Sequence, residues 1–130
     1  MSTFHYLCKK TMIKPREDVE RFLAQFFPKF EVFGILFLDR EKNLEALKML
    51  GITAAERKEI IRTIDVDDYV ETIASALHNI GDLWVFGKDY ENEELYIKIA
   101  LGRPGSNTIC VSFHKAEHTI RYAYREGNNC

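Results

Sequence analysis

Residues 83–114 read LWVFGKDYENEELYIKIALGRPGSNTICVSFH, and their alternation sets the architecture. Leu83 to Tyr90 and Glu94 to Gly102 are two β-rich runs around an Asp-Tyr-Glu-Asn-Glu turn region, the pattern of an antiparallel hairpin. Arg103-Pro-Gly-Ser-Asn107 makes a second turn, and a strand follows from Thr108 to His114. Successive side chains of a strand point to opposite faces. Leu95, Ile97, Ile99 and Leu101 are therefore assigned to the core, with Tyr96, Lys98 and Ala100 on the other face. Strict alternation on the next strand puts Ile109, Val111 and Phe113 in the core and Cys110, Ser112 and His114 on the second face. With strands paired in chain order, Tyr96, Lys98, Ser112 and His114 share one surface. Trp84 and Phe86 lie together on one face of the first strand and read as packing under a helix rather than as a nucleotide platform.

Upstream of the hairpin the spacing changes from two to about 3.6. Pro15 suits the first residue of a helix, with Glu17 and Asp18 in its first turn. Val19, Phe22, Leu23 and Phe26 recur at helical spacing, so 15–27 is an amphipathic helix ending before Pro28. Glu31 to Asp39 is β-branched and aromatic and reads as the first strand of the sheet, with the apolar run Val32 to Leu38 buried. Asn43 is a candidate N-cap for a helix carrying Leu44, Leu47 and Leu50, stopped by Gly51. Thr53-Ala-Ala-Glu56 is a capping box opening a helix whose buried stripe is Ile60, Ile61 and Ile64. Asp65, Asp67 and Asp68 are turn-like, and Tyr69 to Leu77 is either helix or irregular connection. Residues 1–14 form an arm or short strand, and 126–130 a tail. Helices first and strands later give an α+β domain with an antiparallel sheet formed mainly by the C-terminal half.

The 130 residues, 46% of them hydrophobic, fit one domain with a core of its own. Cys8, Cys110 and Cys130 are odd in number and lack any CxxC pair, which argues for reduced thiols in the cytoplasm rather than a disulfide framework or zinc knuckle. No apolar run approaches a membrane span, and the N-terminus lacks the apolar core of a signal peptide. Net charge is −2, so no whole-molecule basic footprint for nucleic acid exists. Its distribution is uneven: from Tyr96 to Arg125, Lys98, Arg103, Lys115, Arg121 and Arg125 face one acid, Glu117. Charge alone does not decide between a phosphate-binding face and an ordinary mixed surface.

A tyrosine, a lysine and a histidine on one sheet face match the needs of metal-free RNA cleavage. A base takes the 2′-hydroxyl proton, a cation stabilises the phosphorane, and an acid protonates the leaving 5′-oxygen. His114 is the natural acid or base because imidazole titrates nearest neutrality. Lys98 supplies positive charge, and Tyr96 orients the hydroxyl or stacks on a base. Each of these alone is more often a solvated strand face. His114-Lys-Ala-Glu117-His118 also fits the HxxEH pattern of zinc peptidases, whose histidines lie on one helical face. Here the pattern follows a strand and few residues remain for a third ligand, so it reads as a turn steering the C-terminal segment. No metal or other cofactor is called for. No P-loop, GxGxxG or GxSxG occurs, so kinase, dehydrogenase and esterase readings have no support.

Leu83-Trp-Val-Phe-Gly-Lys88, Leu95-Tyr-Ile-Lys-Ile99 and Cys110-Val-Ser-Phe-His114 together resemble the toxin of the motility quorum-sensing regulator (MqsR) family. Upstream, Leu50-Gly-Ile-Thr53, the stretch Arg57 to Ile64 and Asp68-Tyr69 extend the resemblance to roughly residues 15–125. The resemblance implies a RelE-like fold, metal-independent cleavage of mRNA, and neutralisation by a cognate antitoxin, a DNA-binding protein encoded beside the toxin. It places the family's catalytic tyrosine on Tyr96, the neighbouring lysine on Lys98, and a C-terminal catalytic lysine on His114. Two positions depart from the pattern: Val70 and Glu71 stand where the family has a lysine, and Val85 where it has a glutamine. Lys88, Ser112, Lys115, Arg121 and Arg125 are the residues expected to bind RNA, with Lys88, Arg121 or Arg125 compensating for the departures. The competing expectation is a non-catalytic RNA- or protein-binding module on the same fold, motivated by those two departures.

Overall fold

The computed structural model describes residues 11–38, 40–75 and 79–125. Within them the chain is an α+β domain: β1 (Thr11–Met12), α1 (Arg16–Phe33), β2 (Ile35–Phe37), α2 (Glu41–Leu50), α3 (Ala54–Arg62), a short 3-10 turn (Val66–Asp68), then β3 (Tyr69–Ile73), β4 (Leu83–Tyr90), β5 (Glu93–Ala100) and β6 (Thr108–Lys115). The strands form one sheet in the order β1-β3-β4-β5-β6-β2. All neighbours are antiparallel except β2, which runs parallel to β6 at the edge. The strands expected at 83–90, 94–102 and 108–114 are present with their ends shifted by at most two residues. The β4–β5 turn is tight, with Glu91 at φ 47° and Asn92 at φ 69°. Positive φ at both central residues is the hairpin geometry that follows the twist of the flanking strands.

One face of the sheet carries the core. Phe22 of α1 stacks on Trp84 at 4.4 Å between ring centroids and reaches Phe86 at 6.3 Å, as a packing role for both β4 aromatics requires. Leu95, Ile97 and Ile99 are fully buried beneath Val19, Phe26 and Ile61. The Thr53–Glu56 capping box forms, with Glu56 N donating to Thr53 Oγ1 and Thr53 N to Glu56 Oε1. Gly51 closes α2 in the left-handed region at φ 68°.

Four local expectations are corrected. First, α1 does not stop before Pro28 but runs to Phe33 and ends at Gly34, φ 79°. An interior proline costs about 3 kcal/mol. Against it, Phe26 and Phe30 stay buried one turn apart and stacked, each contributing about 1.5–3 kcal/mol of burial. Lys29 beside the proline also donates to the carbonyls of Leu101 and Arg103. Pro28 itself is exposed, where its ring meets solvent. Second, the strand read over 31–39 shrinks to three residues, and Val32, Phe33 and Leu36 are exposed rather than buried. Third, Asn43 does not cap α2, which begins at Glu41; it is buried inside the helix with another role. Fourth, the stretch after Asp68 is strand β3, neither helix nor irregular. Its residues 76–78, like 1–10, Asp39 and 126–130, lie outside the described residues.

Candidate functional site

The sheet face opposite the core is the floor of a cleft of about 1050 Å³. Tyr96 and Lys98 of β5 and Ser112 and His114 of β6 form it, paired directly across the ladder as Tyr96↔His114 and Lys98↔Ser112. One wall is the start of α2 with Arg40 before it, and the other is the C-terminal segment over 116–123. The four residues grouped by alternation are thus together in one cleft.

Simple alternation nevertheless fails in β6. Ile99 pairs with Cys110 while Lys98 pairs with Ser112, so Val111 is an extra residue in a β-bulge. Cys110, expected beside Ser112, instead faces the core, fully buried, and its thiol is pushed up to about 12 by that burial. Ile109 and Val111 are displaced from the core cluster they were assigned to. Asn43 stabilises the bulge: its Nδ2 donates to Val111 O at 3.1 Å and Leu38 O at 2.9 Å, and its Oδ1 accepts from Phe113 N at 3.0 Å. The Val111 carbonyl and the Phe113 amide thereby have partners beside the interrupted ladder.

A second bulge lies two strands away. In β3, Tyr69 pairs with Phe86 and Glu71 with Val85, leaving Val70 extra. Tyr69 stays in the core, and the bulge carries Glu71 to the cleft face. One cross-sheet row therefore reads Glu71–Val85–Lys98–Ser112. Both bulges adjoin it.

The electrostatics of the floor follow from partial burial. The Tyr96 hydroxyl is pushed up to about 12 by burial, with Glu71 and Glu117 adding to the effect. Burial lowers the Lys98 ammonium, Arg40 lowers it further, and Glu71 works against both. Burial raises the Glu71 carboxyl, opposed by Lys98. The Tyr96 and His114 rings stack at 5.2 Å between centroids and 16° between planes, and Lys98 Nζ lies 5.7 Å from the Tyr96 ring centroid. His114 Nδ1 is 3.0 Å from the carbonyl of Lys115, leaving Nε2 as the nitrogen for other partners.

The remaining residues expected to bind RNA divide. Arg121 lines the cleft and is exposed. Lys88 and Lys115 point to the other side of the sheet, sharing the register of Leu95. There Lys88 pairs with the buried Asp68 at 3.1 Å and Lys115 with Glu93 at 3.0 Å. Arg125 also pairs with Asp68, at 2.9 Å, and stacks over Tyr122. Lys88 and Arg125 are thus structural braces around one carboxylate. Arg40 and Lys42 add cationic groups to the cleft that strand alternation had no means of finding, since they precede or begin a helix; Lys42 pairs with Glu117.

The C-terminal segment is fastened across the sheet. Glu94 accepts from Ile120 N at 3.1 Å and from Tyr122 Oη at 2.9 Å, and Ala123 N donates to Tyr69 O at 2.9 Å. Gly87 makes this approach possible, because a Cβ there would lie 2.5 Å from Tyr122 Oη and 2.9 Å from Ile120 Cδ1. His114, Glu117 and His118 of the HxxEH pattern all line the cleft, but the segment is not helical, and Lys42 holds the Glu117 carboxyl below its ordinary range. Among the described residues no group of three or more histidines, cysteines and acids is placed to hold a metal ion, and no helix is long and apolar enough to cross a membrane.

No protein-family model matches the chain, and no curated protein or solved structure is detectably similar to it.

Proposed function

We propose that the chain is the toxin of a type II toxin–antitoxin module, a metal-independent endoribonuclease that cleaves mRNA and so arrests translation. The observation that carries this reading is the cross-strand pairing of Tyr96 with His114 beside Lys98 on the floor of an open cleft. That cluster supplies the groups for attack of a 2′-hydroxyl on the adjacent phosphate: Lys98, with Arg40 and Arg121 at the rim, holds the phosphate and offsets charge on the phosphorane. His114 exchanges a proton with the reacting oxygens. Tyr96, a neutral phenol at physiological pH that burial holds still further from ionisation, donates a hydrogen bond and offers a ring face to a base. The cleft can admit a strand of RNA along the sheet.

The sequence resemblance to MqsR toxins extends the proposal to a RelE-like fold, a cytoplasmic site of action and a DNA-binding antitoxin as partner. The α+β layering with the sheet mainly in the C-terminal half is compatible with it. The second reading, an RNA- or protein-binding module without catalysis, is favoured by one feature: the acid Glu71 shares the cleft with the cation intended for phosphate.

Incubation of the purified chain with a defined RNA in chelator separates the two. Cleavage leaving a 2′,3′-cyclic phosphate, lost in the His114→Ala variant, supports the toxin. Salt-sensitive RNA binding without any cleavage would establish the binding module instead. Induced expression in a bacterium with transcript-end mapping then gives the cleavage sequence.

A further inference from the structure

Two β-bulges interrupt an otherwise regular sheet, and both adjoin the row Glu71–Val85–Lys98–Ser112. Bulges concentrate beside active sites because they re-aim single side chains. The β6 bulge turns Cys110 into the core and leaves Ser112 on the cleft face beside Lys98. The β3 bulge turns Glu71 to the cleft; unbroken alternation through Tyr69, Val70 and Glu71 would put Glu71 on the face of Tyr69, toward the core. A carboxylate is an improbable choice for a half-buried position in a phosphate-binding cleft unless it has work there, since burial and phosphate both disfavour its charge.

Resting on the endoribonuclease reading, we propose that Glu71 is the general base of the cleft and that His114 is the corresponding acid. Glu71 accepts the 2′-hydroxyl proton as O2′ attacks phosphorus, and the O2′–P bond forms. Lys98, between Glu71 and Ser112 in the row, holds the non-bridging oxygens. The P–O5′ bond breaks, and the imidazolium of His114 gives its proton to O5′, yielding a 2′,3′-cyclic phosphate and a 5′-hydroxyl. The proton on Glu71 and the vacancy on His114 are exchanged with water, which resets the site without a further reactant.

The charged surroundings suit this division. Lys98 is the charged group that acts on Glu71; Tyr96 and His114 of the sheet, Arg40, Glu41, Lys42 and Glu45 around the start of α2, and Glu117, His118 and Arg121 of the C-terminal segment line the same cleft. β4 contributes only Val85, fully buried. Burial holds the Glu71 carboxyl above its ordinary range, nearer the basicity that proton abstraction near neutral pH requires. Lys98 opposes part of that rise.

The test compares the parent with Glu71→Gln, Glu71→Asp and His114→Ala on a short RNA across acid to neutral pH. Binding of the 2′-deoxy form of the same oligonucleotide is measured alongside. Glu71→Gln is expected to slow cleavage about 100-fold or more, to erase the acidic limb of the rate profile, and to bind the deoxy analogue as tightly as the parent or tighter. Glu71→Asp should recover part of the rate. A Glu71→Gln protein that cleaves as fast as the parent, while His114→Ala does not, overturns the base assignment and leaves the ribonuclease reading standing. Faster cleavage with tighter binding would make Glu71 an electrostatic brake. A parent that cleaves under none of these conditions overturns both.

Discussion

The ring of Tyr96 lies against that of His114 across the β5–β6 ladder, 5.2 Å between centroids and nearly parallel. The contact exists because the two residues are directly opposed in register, where facing side chains come within about 5 Å. It fixes the plane of the imidazole, and with Nδ1 near the Lys115 carbonyl it aims Nε2 at the cleft. Tyr96→Phe keeps the ring pair and removes only the hydroxyl. His114→Ala removes the proton carrier. Each variant is expected to fold like the parent by circular dichroism and to lose RNA cleavage about 100-fold. Growth arrest by the double variant equal to that of the parent would show that this face is not the active one.

Asn43 joins α2 to the bulge in β6 through three hydrogen bonds to backbone groups. Asn43→Leu leaves the Phe113 amide and the Val111 carbonyl buried without that partner, a loss of about 3 kcal/mol. Urea unfolding should register the drop. Amide exchange at Phe113 should rise more than at Ile97, and an undiminished midpoint would mean the bulge holds itself.

Gly87 faces the cleft beneath Tyr122 and Ile120. A methyl at this position meets side-chain atoms of Tyr122 and Ile120 under 3 Å away, so Gly87→Ala must displace the side chains that pack the C-terminal segment on β4. Overpacking of this kind costs about 1–3 kcal/mol. Limited proteolysis is expected to cut within residues 116–125 faster in the variant, with β4 and β5 still protected. Equal cleavage patterns would contradict the close packing.

Glu71 and Lys98 both pay for their position in the cleft through burial of charge, and pH exposes this. Folding raises the Glu71 pKa. Its contribution is therefore fully present below the unfolded value of about 4.3 and lost as pH rises through the folded value. Folding lowers the Lys98 pKa, so its penalty holds at neutral pH and disappears only above the unfolded value of about 10.4. The Glu71→Gln and Lys98→Met double variant should melt a few degrees higher than the parent at neutral pH. Glu71→Gln alone should give its gain at neutral pH and none at about pH 3. Calorimetry that finds no gain at neutral pH would show the pair to be net stabilising.

Local patterns in the sequence decide much of this protein. Period-two alternation in 83–102 assigned Trp84, Phe86, Leu95, Ile97 and Ile99 to the core and Tyr96 and Lys98 to the opposite face. The Thr53–Glu56 box and Gly51 placed the boundaries of α3 and α2. Such signals are legible because the forces behind them act within a turn of helix or between alternate residues of one strand. What the fold alone decided depends on partners far along the chain. Pro28 stays inside α1 because buried aromatics on its opposite side outweigh the missing hydrogen bond. Asn43 serves Val111 and Phe113, about 70 residues away, and so lets β6 shift phase and bury Cys110. The bulge at Val70 turns Glu71 into the cleft, and Gly87 admits the C-terminal segment above it. A bulge leaves no periodic trace in sequence, since its cost is met by a side chain that only tertiary packing brings near.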